Sequence, residues 1–364
     1  MTSERIVFAH LLRGVGAVSV LISHYVGIFW IAHPEISALM GVPVVPDFPS
    51  LDFPFSVIGD NCIIFGQFGV GVFFLVSGLV IPFSIESATR VDFLVRRAMR
   101  IYPVYIVGFS LVVLSLYALA SYTGVPFKFS LADIVAHFGV ITRGPLGVDR
   151  IDGISWTLEV EIYFYLVMCV LGAYVLKFRV QQYIAAAVVI AIAAALAMKS
   201  AGYLIGVQVG SGLLLLLGIA YYSVMKQRIG VKDFWIVQVV VIALLMLLWL
   251  GFARFSVYTM RWLGGYLLAV AVFHACYVLR QKITANLLLS HLSDISYPLY
   301  VVHALFGYAI MYVFVDLGFG FGAAVAAASV AAYAAALLIH LLVEKPAMDW
   351  AKTGRRKDSL LRIG

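Results

Sequence analysis

Ten long apolar runs, joined by loops that carry nearly all of the charge, constrain this chain more than any other feature. They fall at roughly 6–31, 62–83, 101–121, 154–176, 183–199, 204–225, 234–252, 262–279, 293–315 and 319–342. About twenty apolar residues carry a helix across a bilayer, and each run is near that length. Of the 364 residues 63% are hydrophobic and 12% charged, a balance that excludes a soluble domain of this size. The runs are continuous rather than alternating, which excludes a membrane β-barrel. The expected fold is all-α and polytopic, with about ten transmembrane helices.

The loops after even-numbered runs hold Arg90, Arg96, Arg97, Arg100, Lys177, Arg179, Lys226, Arg228, Lys232, Arg280 and Lys282. Arg5, Lys345, Lys352, Arg355, Arg356, Lys357 and Arg362 flank the ends of the chain. The other side holds Lys128, Arg143, Arg150, Lys199, Arg254 and Arg261. By the positive-inside rule this asymmetry places both termini in the cytoplasm. It also explains the net charge of +7 without nucleic acid as a partner. Residues 1–346 read as one transmembrane domain and 347–364 as a basic cytoplasmic tail. The first run is too long, and too interrupted by Arg13, for a cleavable signal. Cys62, Cys169 and Cys276 show no metal or disulfide spacing, so no metal is expected.

Several apolar runs contain groups that are costly to bury. An arginine or histidine inside a span is by default a functional signal. The first run, IVFAHLLRGVGAVSVLISHYVGIFWI, holds Arg13 and His24. Eleven residues are close to three helical turns, so both leave one face, roughly 16 Å apart along the axis. Gly16 lies between them. The second run contains FFLVSG, with Ser77 and Gly78. Counted from the run's inner end, Ser77 lies roughly 10 Å deep; bonding back to its own helix is the commoner role for such a serine. Arg96, Arg97 and Arg100 follow at i, i+1 and i+4. They suit phosphate through forked hydrogen bonds, or equally topology and anionic lipid.

The fourth run opens GISWTLEVEIYFY. Glu161 lies roughly 10 Å below the outer end, as deep as His24 below its own. A carboxylate and an imidazole at one depth are the parts of an oriented general base. Glu159 points about 200° away and belongs to another site. The ninth run opens SDISYPLYVVH and ends that motif at His303. The outer loops 32–61 and 122–153 exceed the usual length, which marks them as functional or slack.

Taken in order, Arg13 with His24 eleven residues on, FFLVSG, RRAMRIYPVY, SWTLEVEIYFY, SYPLYVVH and EKP resemble the motifs of the acyltransferase 3 family. The resemblance implies ten core helices, an inner-membrane location, an acyl-coenzyme A donor (acetyl the commonest) and a hydroxyl acceptor, usually on an exported glycan. It implies a catalytic role for Arg13 and His24, to which the matched depths add Glu161 as the group that orients His24. Arg96, Arg97, Arg100 and Ser77 fall on the donor side, and Trp156, Glu159 and His303 on the acceptor. A pantetheine arm is expected to enter beside Gly16 and Gly78. Many members carry an extra esterase-like domain; this chain is expected to be a stand-alone version. The rival reading is a multi-pass transporter or flippase of a polar or glycan substrate, against which stands the lack of detectable repeats.

Overall fold

A computed structural model describes residues 6–251 and 256–351. Arg5, Arg254, Lys352, Arg355, Arg356, Lys357 and Arg362, and the tail from residue 352 on, lie outside the described residues. Among the described residues every regular element is helical, and ten helices are long and apolar enough to cross a membrane. They are α1 (Val7–Ile31), α4 (Cys62–Glu86), α5 (Arg90–Thr123), α7 (Ser155–Val175), α8 (Val180–Ser200), α9 (Tyr203–Met225), α10 (Val231–Gly251), α11 (Val257–Val278), α13 (Ser296–Asp316) and α14 (Phe321–Ala351). Four shorter helices complete the order: α2 (His33–Met40), α3 (Phe55–Asp60), α6 (Leu131–Phe138) and α12 (Leu287–Asp294). The ten spans match the sequence reading to within about five residues, with two larger exceptions: the tenth runs to Ala351 rather than 342, and the third begins well before 101. The third is a 34-residue helix starting at Arg90, so the arginine cluster continues directly into the span. Nothing breaks the helix there, although Pro103 lies inside it and removes one backbone donor.

The chain divides into two compact units. Unit 1 comprises Met1–Val20, Ile63–Leu94 and Trp156–Ser290. Unit 2 comprises Leu21–Cys62, Val95–Ser155 and His291–Gly364. The first span contributes to both, with Arg13 in unit 1 and His24 in unit 2.

Unit 1 is held by close backbone approach at glycine. A Cβ added to Gly78 of α4 would lie 2.2 Å from the Leu215 carbonyl oxygen of α9, and one on Gly218 would lie 2.4 Å from that of Leu75. Gly69 of α4 meets α1 in the same way, 2.5 Å from the Gly16 carbonyl oxygen. Small residues allow helices in lipid to touch along their backbones, where dispersion is the main attraction. The sequence expectation of a channel beside Gly16 and Gly78 is therefore corrected. Both strips are filled by neighbouring backbone, which leaves no room for a pantetheine arm.

In unit 2 the two long loops, 32–61 and 122–153, are each fastened by a buried histidine. His33 Nε2 accepts the Val45 N–H at 3.2 Å, and its ring stacks on Phe48 at 3.5 Å between centroids. The Tyr312 hydroxyl donates to the Pro43 carbonyl in the same loop at 2.9 Å. His137 Nε2 accepts the Ile151 N–H at 2.9 Å while its Nδ1 donates to the Asp133 carbonyl at 2.6 Å. The loops are thus ordered by specific contacts. Burial lowers the His33 pKa to about 4, so the ring is neutral and able to accept. Asp133 is held below the usual carboxylate range by hydrogen bonds from Ser130, whose hydroxyl caps α6.

Candidate active site

The catalytic histidine expected from sequence sits where its helix departs from α geometry. Residues Ser23–Ile28 of α1 form a π turn. Such turns widen a helix by one residue and occur often at functional sites. Two contacts within unit 2 fasten it. The Ser23 hydroxyl donates to the Cys62 carbonyl at 2.7 Å, and Gly27 packs so tightly on Cys62 that an added Cβ would lie 2.1 Å from the cysteine Cβ.

His24 is partly exposed on this turn, and its Nδ1 lies 2.5 Å from the Tyr308 hydroxyl. The two rings are stacked at 5.8 Å. Sequence reasoning assigned the imidazole's orienting partner to Glu161; the group on Nδ1 is the Tyr308 phenol. One of twenty tyrosines, five residues past His303, gave no signal in the sequence. The pairing arises only when α13 is laid against the π turn.

His303 joins the same cluster. Its ring is perpendicular to that of His24, with centroids 4.7 Å apart. Its Nδ1 lies 2.8 Å from the Tyr300 carbonyl, one turn back on α13. The Tyr25 hydroxyl donates to the His303 carbonyl at 2.6 Å, and Gly307 leaves the space that Tyr25 fills. His24 and His303, read separately from sequence, are thus brought together with two unforeseen tyrosines.

The carboxylates form a different constellation in unit 1. Glu161 Oε1 accepts from the Ser77 hydroxyl at 3.2 Å and also from the Tyr165 hydroxyl. Ser77 therefore does not bond back to its own helix. The depths expected for these two residues, one near each membrane surface, are also corrected, because they meet. Helix α4 runs on to Glu86, three residues past the expected end. That puts Ser77 about 14 Å from the helix end rather than 10 Å. The remaining difference requires α4 and α7 to be offset along their axes. Glu159 lies on another face as expected, accepting from the Gln208 side chain at 2.8 Å. Trp156 packs beside it between Phe74 and Trp262, at 6.1 and 6.2 Å. Of the arginine cluster, in unit 2, Arg96 is exposed while Arg97 and Arg100 are half-buried on α5. Arg13 is half-buried on α1.

Comparison with known proteins decides between the two functional classes left open above. Residues 6–342, nearly the whole chain, match the family model described as an acyltransferase domain. The chain belongs to the acyltransferase 3 family. It is accordingly a polytopic membrane acyltransferase that works on an acceptor substrate, and the transporter reading is set aside. No curated protein and no solved structure matches the chain. The family membership covers α1 to the first part of α14. It therefore takes in the His24 cluster, the Glu161 cluster and the arginines of α5.

Proposed function

We propose that this acyltransferase 3 member is an inner-membrane O-acyltransferase. It moves an acyl group, acetyl in the simplest case, from cytoplasmic acyl-coenzyme A to a hydroxyl of an extracytoplasmic or lipid-linked glycan. The observation that carries the reading is His24: a half-buried residue on a π turn, its Nδ1 engaged by Tyr308. With Nδ1–H donating to the phenol oxygen, Nε2 bears the lone pair and is the base. A base oriented through its other nitrogen is the arrangement general-base catalysis needs.

In the reaction, Nε2 of His24 takes the proton of the acceptor hydroxyl as its oxygen attacks the thioester carbonyl. The carbon–sulfur bond breaks, and the coenzyme A thiolate leaves and takes the proton back from the imidazolium. The products are an ester and free thiol. Arg96, Arg97 and Arg100 supply cations for the donor's phosphates on the side that the charge pattern assigns to the cytoplasm. Arg13 is the cation for the donor within the span. Glu161 braces Ser77 and Tyr165.

The test is proton NMR of ester-linked acyl groups on the host's surface glycans. A deletion strain is compared with strains complemented by wild type and by His24→Ala at matched protein level. An O-acyl signal that disappears on deletion and returns only with wild type is the expected result, and it names the acyl group and the acceptor together. Identical spectra from all strains would remove the glycan acceptor. Full restoration by His24→Ala would remove the general base.

A further inference from the structure

His303 has an unused valence. A backbone carbonyl only accepts, so the 2.8 Å contact with the Tyr300 oxygen requires the His303 proton to be on Nδ1. In the neutral ring Nε2 is then a bare acceptor with a lone pair. That atom is enclosed, in a residue only 1% exposed, and has no hydrogen-bond partner among the described residues. Buried polar atoms are paired in nearly all cases, and an exception calls for an explanation. Leaving an acceptor unpaired costs stability that an apolar side chain of similar volume would keep. Meanwhile the surroundings fix this ring firmly. Its tautomer is set by Tyr300, its backbone carbonyl is held by Tyr25, and its ring lies perpendicular to that of His24 with centroids 4.7 Å apart. A lone pair held this rigidly beside the proposed base is preset for a donor that arrives with the substrate.

We propose that His303 is the specificity-determining residue for the acceptor. Its Nε2 accepts a hydrogen bond from a second hydroxyl adjacent to the one His24 deprotonates. The acceptor class that follows is a vicinal diol, as on a sugar ring, rather than an isolated alcohol. This deepens the reading above and rests on it. Two imidazoles side by side, one taking a proton and the other only a hydrogen bond, match two neighbouring hydroxyls. Reaching Nε2 requires His24 or its neighbours to shift as the diol enters, which fits an enclosed His303 behind a partly exposed His24. A site built to receive a hydroxyl rejects an analogue lacking it, because its own polar group is then left unpaired.

The experiment uses the purified full chain in lipid nanodiscs with acetyl-coenzyme A. Methyl glucopyranoside and its set of monodeoxy analogues serve as acceptors, and coenzyme A release above the acceptor-free blank is the readout. Wild type is expected to favour the parent glycoside over at least one monodeoxy analogue by roughly tenfold or more in kcat/KM. His303→Ala should erase that preference, so that parent and analogue are used with similar kcat/KM. His303→Gln should restore part of the preference, since its side-chain oxygen accepts near the position of Nε2. Equal use of parent and all analogues by wild type overturns the proposal while leaving acyl transfer to a sugar standing. So does an equal loss on both acceptors in His303→Ala, the mark of a structural role. If wild type releases coenzyme A with none of the sugars, the glycan reading itself fails and this inference with it.

Discussion

The Glu161 cluster of unit 1 and the His24 cluster of unit 2 hold their ionisable groups in different ways. In unit 1 a carboxylate, Glu161, receives hydrogen bonds from two hydroxyls, and a second, Glu159, is met by a side-chain amide. In unit 2 the imidazoles of His24 and His303 are each held through Nδ1. Two hydroxyls donating to one carboxylate oxygen tie α4 to α7, whereas an imidazole held through Nδ1 presents its Nε2 lone pair in a fixed direction, the geometry an oriented base needs. Under the function proposed above, proton transfer falls to His24 in unit 2 and Glu161 has a supporting role.

The largest effect should separate those assignments. In a coenzyme A release assay, His24→Ala should lower transfer by about 10²- to 10⁴-fold, the usual worth of a general base. Glu161→Gln keeps a side-chain oxygen able to accept from Ser77 and Tyr165, and should stay within roughly tenfold of wild type. Equal collapse of both variants, at matched folded yield, would make the carboxylate a chemical partner and break the contrast.

The packing of the units gives the next largest effect. In unit 1, Gly78 faces backbone, with an added Cβ 2.2 Å from the Leu215 carbonyl oxygen. In unit 2, Gly27 faces a side chain, with an added Cβ 2.1 Å from the Cys62 Cβ. Either glycine-to-alanine change should destabilise by about 1–3 kcal/mol, the usual cost of overpacking. Cys62→Gly should relieve Gly27→Ala, whereas no neighbouring side-chain truncation relieves Gly78→Ala. Melting of the single and double variants in detergent reads this directly. Rescue of Gly78→Ala by Leu215→Ala would show that the close approach is not set by backbone.

These examples also show what could be read in advance. The ten spans were legible because length, apolarity and loop charge are local properties. Arg13, His24, Glu161 and His303 stood out because ionisable groups in apolar runs are rare. The π turn at Ser23–Ile28 was not legible, since it depends on Cys62, 39 residues from Ser23, holding the turn from outside. Tyr308 was hidden among many tyrosines. The meeting of Ser77 and Glu161 was misjudged because depth was counted from the ends of apolar runs, whereas helix ends follow backbone hydrogen bonds and run on through polar residues. Gly16 and Gly78 looked like open space when they mark contact: a missing side chain in a bilayer invites a neighbouring helix.

The smallest effect tests the loop fastening of unit 2. His33 accepts the Val45 N–H through Nε2, and its folded pKa, near 4, lies below the ordinary histidine value of 6.5. The folded state therefore binds this proton less readily than the unfolded state. The stability it contributes is fully present above about pH 6.5 and is lost as pH falls toward 4, because protonation removes the acceptor and turns a donor toward the Val45 N–H. Besides Val45, the ring meets Phe29, Phe48, Tyr312 and the Ser37 hydroxyl, none of which is an ion that would compensate the new charge. His33→Gln replaces the acceptor with one that does not titrate. Melting temperature should fall more steeply between pH 6.5 and 4.5 in wild type than in His33→Gln, by a small margin against the background of the other carboxylates. The same slope in both proteins would mean that the loop is held by Phe48 stacking and the Tyr312–Pro43 bond alone. Unit 2 would then have one imidazole fewer whose second function depends on its protonation state.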